Sequence, residues 1–82
     1  MRGRLSPVET VGVVRSFDLE EGWGVLDSPD VPGGCFVHYS DVDEPRHGEL
    51  RPGQRVRFKF EQPGFLQDGY EYRAHWVRII EW

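Results

Sequence analysis

The chain has 82 residues and a formal net charge of −4, and its single cysteine excludes an intramolecular disulfide. A chain of this length forms one small domain with a modest core. No apolar run is long enough for a membrane span or a secretory signal. We therefore expect one cytoplasmic domain over residues 1–82, with its core at about 11–80 and a loose arm at 1–9.

The first half of the chain predicts three short strands. Gly and Pro interrupt the sequence at short intervals, and the only regular pattern is short alternation of apolar and polar residues, which indicates an all-β domain. The strands are expected at residues 10–17, 22–26 and 35–39. The last is followed by a single helical turn at 40–42, with Ser40 as its cap.

The second half predicts two more strands. A fourth strand begins at Arg55, where apolar and basic residues alternate, and a fifth runs over residues 70–80 with Trp76 in the core. Five short strands suit a small closed barrel, because closing the sheet removes its edges.

Aromatic residues of the second and third strands are expected on one open surface. Alternate side chains of a strand share a face, so Leu26 and Val37 point into the core. Trp23, Phe36 and His38 then remain outside. Unpaired nucleic-acid bases stack on flat rings displayed by a sheet, and the three side chains therefore predict a base-stacking platform.

The charge distribution permits such a function despite the negative total. Residues 18–30 contain acids and no base, whereas residues 51–60 contain four cations and no acid, namely Arg51, Arg55, Arg57 and Lys59. A molecule with segregated charge can bind a polyanion on one side. For any single charge, a solvated strand face is the simpler explanation.

Four segments stand in a distinctive order along the chain. They are Arg15-Ser16-Phe17-Asp18, Gly22-Trp23-Gly24-Val25-Leu26, Phe36-Val37-His38-Tyr39-Ser40 and Leu50-Arg51-Pro52-Gly53-Gln54. In this order the chain resembles the bacterial cold-shock domain family over about residues 11–77. The resemblance implies a five-stranded antiparallel barrel of the oligonucleotide-binding (OB) type that binds single-stranded RNA and DNA and has no enzymatic activity.

The resemblance also implies roles for individual side chains. Base-stacking positions are matched by Phe17, Trp23, Phe36, His38 and Tyr39, and a backbone-contacting lysine is matched by Arg15. His47 stands where the long loop of the family commonly has an aromatic residue. Apart from the resemblance, Tyr70, Tyr72 and Phe65 are candidates for additional rings beside the platform, and Arg73 is a candidate phosphate contact.

Among the departures from the family pattern, three bear most directly on base stacking and charge. Ser16 replaces a tryptophan, Glu21 replaces a basic residue and Val25 replaces an aromatic residue. Because each stacked base contributes about 1–3 kcal/mol, these changes should weaken nucleic-acid binding. They also favour an alternative, in which the same aromatic face binds a protein partner.

Other functions find little support. The chain has no phosphate-binding Gly-Lys-Ser/Thr loop, and Cys35 and His38 should face opposite sides of a strand, which disfavours zinc. We expect neither cofactor, metal nor catalytic residue. A monomer is expected, with a weak dimer through Phe65, Leu66 and Trp82 as the alternative.

Overall fold

Five strands form the molecule in the computed structural model, which describes residues 8–43 and 49–81. In chain order the elements are β1 (Val8–Asp18), β2 (Trp23–Asp27), β3 (Cys35–His38), a 3-10 turn (Tyr39–Asp41), β4 (Arg55–Glu61) and β5 (Tyr72–Glu81). The all-β prediction is confirmed. Among the described residues, no helix is long and apolar enough to cross a membrane.

The sheet closes into a barrel in the order β1-β2-β3-β5-β4. The long strand β1 pairs with β4 along its first half and with β2 along its second half, and a register shift between Val14 and Ser16 lies within the β1–β2 pairing. β3 and β5 close the barrel through a short parallel pairing, whereas the other pairs are antiparallel. The predicted closed barrel is confirmed, and only this closing pair departs from the antiparallel pattern.

Two glycines allow the strands to approach closely inside the barrel. A Cβ atom on Gly12 would collide with the carbonyl oxygen of Asp27, and one on Gly24 would collide with that of Ser16. A side chain at either position would push β1 away from β2. The Gly-Trp-Gly segment therefore has a structural role that is separate from its tryptophan.

The core lies between the strands and follows the predicted alternation. Leu26 and Val37 are fully buried, and so are Val56 and Phe58 of β4, as expected. Burial of each such side chain contributes about 1.5–3 kcal/mol. Trp76 is the exception: it is half-buried on the outer surface of β5, and its predicted place in the core is wrong.

The helical turn begins one residue earlier than predicted. His38 caps it, since its Nδ1 accepts the backbone N–H of Ser40 at 3.2 Å, and Asp41 Oδ2 accepts the N–H of His38 at 3.3 Å. Ser40 is thus not the cap. The turn follows β3 directly and carries Tyr39 to the end of the strand, which sets the edge of the candidate site.

Candidate functional site

The outer surface of β2 and β3 carries a stacked pair of rings. Trp23 lies opposite His38, and Val25 lies opposite Phe36, so Trp23 reaches diagonally over the neighbouring strand. The centroids of Trp23 and Phe36 are 5.2 Å apart with an interplanar angle of 19°. Trp23 is half-buried and forms the outer layer of this pair.

Phe36 lies beneath that layer. It is only 4% exposed, because Trp23 covers one part of its ring and the Arg73 guanidinium lies 5.4 Å from its centroid. The expectation that Phe36 is open to solvent is therefore wrong. Its ring supports Trp23 and holds it in a defined orientation.

His38 and Tyr39 continue the surface at the end of β3. Their ring centroids are 4.6 Å apart, and Tyr39 is 52% exposed. His38 Nδ1 accepts the N–H of Ser40 and lies 2.8 Å from Ser40 Oγ. In the neutral imidazole the proton consequently resides on Nε2, which is then a hydrogen-bond donor at a fixed place in the site.

Tyr70 adds a ring from the loop between β4 and β5. Its centroid is 6.4 Å from that of Trp23, in an edge-on arrangement. Gln67 and Tyr70 exchange two backbone hydrogen bonds across Asp68 and Gly69, which both have positive φ. The Asp-Gly dipeptide is the sequence signal for such a two-residue turn, so this placement was accessible from the sequence.

Phe17 and Tyr72 face the barrel core more than the outer ring surface. Phe17 is paired with Gly24 and packs against the core, and Tyr72 packs against the core with its ring edge-on to Phe60. Neither side chain therefore joins the outer ring surface, and their roles in base stacking stay predictions. The register shift in β1 turns Ser16 outward and Phe17 inward, and the missing side chain of Gly24 leaves space for the ring.

A shallow cavity of about 350 Å³ adjoins Tyr39 at the end of the barrel. It is lined by Phe17, Leu19, Gly22, Tyr39 and Glu49. Phe17 therefore borders the site from the side of the core. His47, the remaining predicted ring, lies outside the described residues.

Arg15 is held by an acidic residue of the neighbouring strand. Its Nε and Nη2 donate to both oxygens of Asp27, at 2.7–3.1 Å, and Nη2 also donates to the Gly33 carbonyl at 3.3 Å. The hydrogen bond from Arg15 lowers the pKa of the Asp27 carboxyl below its ordinary value. Arg15 also fills the space beside Gly34, since a Cβ there would lie 2.9 Å from Nη2.

Arg73 is held in the same way. Its Nη2 lies 3.3 Å from Asp41 Oδ2, and the two side chains are only 26% and 15% exposed. Asp41 also accepts the backbone N–H of His38. Both cations predicted for phosphate contacts therefore have carboxylate partners, and the site offers chiefly flat rings and a single imidazole donor.

Metal chemistry has no visible basis in the described part of the chain, where no three His, Cys, Asp or Glu side chains converge. Cys35 is buried inside the barrel, and that burial raises the pKa of its thiol to about 12. The reactive thiolate is therefore scarce at neutral pH.

Comparison with known proteins places these features in one family. Residues 10–70 match the family model described as the "'Cold-shock' DNA-binding domain". The chain is 29% identical to a cold shock-like protein of Aquifex aeolicus over 69 residues, which cover 84% of this chain and 91% of that protein. It is 35% identical to a cold shock protein of Arthrobacter globiformis over 51 residues, covering 62% and 76% of the two chains. It is 31% identical to the cold shock-like protein CspD of Haemophilus influenzae over 49 residues, covering 60% and 68%.

Proposed function

The chain belongs to the cold-shock domain family, and we propose that it binds single-stranded RNA or DNA by stacking bases on Trp23, His38 and Tyr39. The observation that carries this proposal is the layered arrangement of Trp23 over the buried Phe36. A ring supported from below loses little conformational freedom when a base stacks on it.

The three outer rings line one continuous surface. Trp23 and His38 are partners across β2 and β3, and His38 is in turn packed beside Tyr39. Stacking uses the π face that every base presents, so binding has little sequence preference. The Nε2–H of His38 adds one hydrogen bond, and nucleobases of every kind carry an acceptor for it.

An RNA-chaperone activity follows from this mode of binding. A strand that occupies the rings cannot pair with a complement, because its bases face the protein. Mass action then shifts weak hairpins toward the open form without ATP. Gene regulation would be a consequence of the same opening of transcripts.

A second candidate function is protein binding through the same surface. The shielded carboxylate that holds Arg73 favours it, because a half-buried cation that already has an anionic partner gains less from a phosphate. The exposed Glu21 favours it as well. Aromatic rings with few free charges are typical of the central part of protein interfaces.

Binding of a labelled oligo(dT) or oligo(U) of about 6 nucleotides to Tyr39→Ala and Leu66→Ala tests the first proposal. Both variants remove an exposed apolar side chain, but only Tyr39 belongs to the proposed surface. Loss of one stacked base corresponds to a roughly 5- to 150-fold lower affinity for Tyr39→Ala. Leu66→Ala should bind like the parent. Equal behaviour of the two variants, or no binding by the parent, would favour the protein-binding alternative.

A further inference from the structure

The outer surface of β4 and β5 carries a row of basic side chains outside the proposed stacking surface. Arg55, Arg57 and Lys59 alternate with buried residues along β4, and Arg78 lies directly beside Arg57 on β5. Alternate residues of a strand are about 6.7 Å apart. We call these four residues the basic row.

Trp76 lies within this row, directly opposite Lys59. Lys59 Nζ is 5.3 Å from the centroid of its ring, and the Arg78 guanidinium is 5.5 Å from it. The indole Nε1–H donates to Asp43 at 3.3 Å. A half-buried tryptophan flanked by two cations offers both a stacking face and positive charge, the combination that single-stranded nucleic acid binds.

The acids near the row form solvent-exposed ion pairs with its three arginines. Three ion pairs join Arg55 to Glu81 at 3.2 Å, Arg57 to Glu9 at 3.3 Å, and Arg78 to Asp43 at 2.6 Å. Their side chains are 42–70% exposed, and exposed pairs of this kind contribute little to stability. Lys59 has no acidic partner among residues 8–43 and 49–81. A phosphate can therefore replace the carboxylates or join Lys59 directly.

The neighbouring positions of Arg57 and Arg78 also favour the binding of an anion. Like charges directly opposite each other on paired strands are unfavourable, and the two residues are Cα partners in the β4–β5 pairing. An anion placed between them would relieve this repulsion. Glu9 and Asp43 balance part of this repulsion in the free protein, and a bound phosphate would take over their role.

The basic row is connected to the stacking surface. β5 begins near Phe36, where Arg73 contacts the ring, and continues to Trp76 and Arg78. The turn that carries Tyr39 leads directly to Asp43, which contacts Trp76 and Arg78. A strand that leaves Tyr39 along this turn reaches the basic row.

We propose that the basic row, with Trp76, is a second contact surface that binds the phosphate backbone of the same single strand after it leaves the stacking surface. This inference rests on the proposed function. Its ligand is a single-stranded RNA or DNA longer than the stacking surface alone accommodates. The stacking surface then supplies base contacts, and the basic row supplies most of the dependence on salt.

Two lengths of oligo(dT), about 6 and about 14 nucleotides, separate the two surfaces in a binding titration. The test variant is Arg57→Gln/Lys59→Gln, and its matched control is Arg57→Lys/Lys59→Arg, which keeps both charges. Each phosphate contact on a single strand contributes about 0.7 to the slope of log affinity against log salt. Loss of two contacts should reduce the slope for the long oligonucleotide by about 1.4.

The parent and the control should therefore lose about sevenfold more affinity for the long oligonucleotide between 50 and 200 mM salt than the test variant loses. Affinity for the short oligonucleotide should be the same in all three proteins. Equal salt slopes in the parent and the test variant would overturn the proposed role of the basic row in phosphate binding but would not affect the proposal for the stacking surface. A parent that fails to bind the short oligonucleotide would overturn the proposed function and this inference with it. Thermal unfolding of each variant confirms that a change in affinity is not a loss of fold.

Discussion

Two clusters on the barrel each consist of an aromatic ring, an arginine that lies over the ring and an aspartate that pairs with the arginine. At the stacking surface an arginine, Arg73, lies over Phe36 and is paired with Asp41. On the basic row Arg78 lies over Trp76 and is paired with Asp43.

The two clusters differ in burial. Arg73 and Asp41 are 26% and 15% exposed, whereas Arg78 and Asp43 are 58% and 48% exposed. A shielded ion pair is costly to break, and an exposed pair exchanges its partner readily. The comparison teaches that burial, more than the presence of an arginine, decides which cation a phosphate can reach. Arg73 therefore stabilises the site, and Arg78 is available to a ligand.

The largest expected difference in stability is between variants of Phe36 and of Trp76. Phe36→Ala should lower the free energy of unfolding by about 3–5 kcal/mol, because it removes a buried ring and leaves a cavity beneath Trp23. Trp76→Ala should cost far less, about 1–2 kcal/mol, since it loses mainly two cation–π contacts at the surface. Urea denaturation of both variants measures the difference. Equal losses of unfolding free energy in the two variants would show that Phe36 contributes no more to stability than Trp76 does.

Replacement of Asp41 should destabilise the protein more than replacement of Asp43. Asp41→Asn weakens a shielded ion pair and the cap of the helical turn, and we expect a loss of about 1.5–3 kcal/mol in the free energy of unfolding. Asp43→Asn removes the partner of an exposed pair and should leave the denaturation midpoint nearly unchanged. A larger effect for Asp43 than for Asp41 would reverse the assignment of the two clusters.

The Arg15–Asp27 pair provides a smaller test at intermediate exposure. The Asp27 carboxyl has a lowered pKa in the folded protein because Arg15 donates hydrogen bonds to it. A lowered folded-state pKa stabilises the fold above the ordinary value of 3.8, and the contribution is lost as the pH falls through the folded value. Stability should therefore decrease more steeply on acidification in the parent than in Asp27→Asn. Parallel curves of unfolding midpoint against pH for the two proteins would show that the pair contributes nothing in solution.

Much of the fold could be predicted because its signals are local. The alternation of Val56, Phe58 and Phe60 with basic residues fixed both faces of β4, and Leu26 and Val37 were assigned correctly to the core for the same reason. The placement of the strands required only short patterns and the turn residues between them.

The incorrect placements of Phe17 and Trp76 share one physical cause. Both arise at an irregularity in strand pairing, where an extra residue reverses the alternation. The register shift after Val14 turned Phe17 toward the core. A second shift, between Lys59 and Phe60, leaves His75 without a Cα partner on β4 and turns Trp76 outward. Strict alternation could not anticipate either reversal.

The two ion pairs of the site also could not be predicted from the sequence. Arg15 and Asp27 are 12 positions apart, and Arg73 and Asp41 are 32 apart. The β1–β2 pairing brings Arg15 to Asp27, and the closure of the barrel, which places β5 beside β3, brings Arg73 to Asp41. The sequence predicted both arginines as phosphate contacts because it revealed the cations without their partners.

The most direct test of the stacking surface is the fluorescence of Trp23 itself. In a Trp76→Phe/Trp82→Phe background, Trp23 is the only tryptophan of the chain. Titration with a short oligo(dT) should then quench its emission saturably, because a base stacks on the ring that Phe36 supports. Emission that stays unchanged at high oligonucleotide concentration in low salt, in a variant with a normal unfolding midpoint, would contradict base stacking on Trp23.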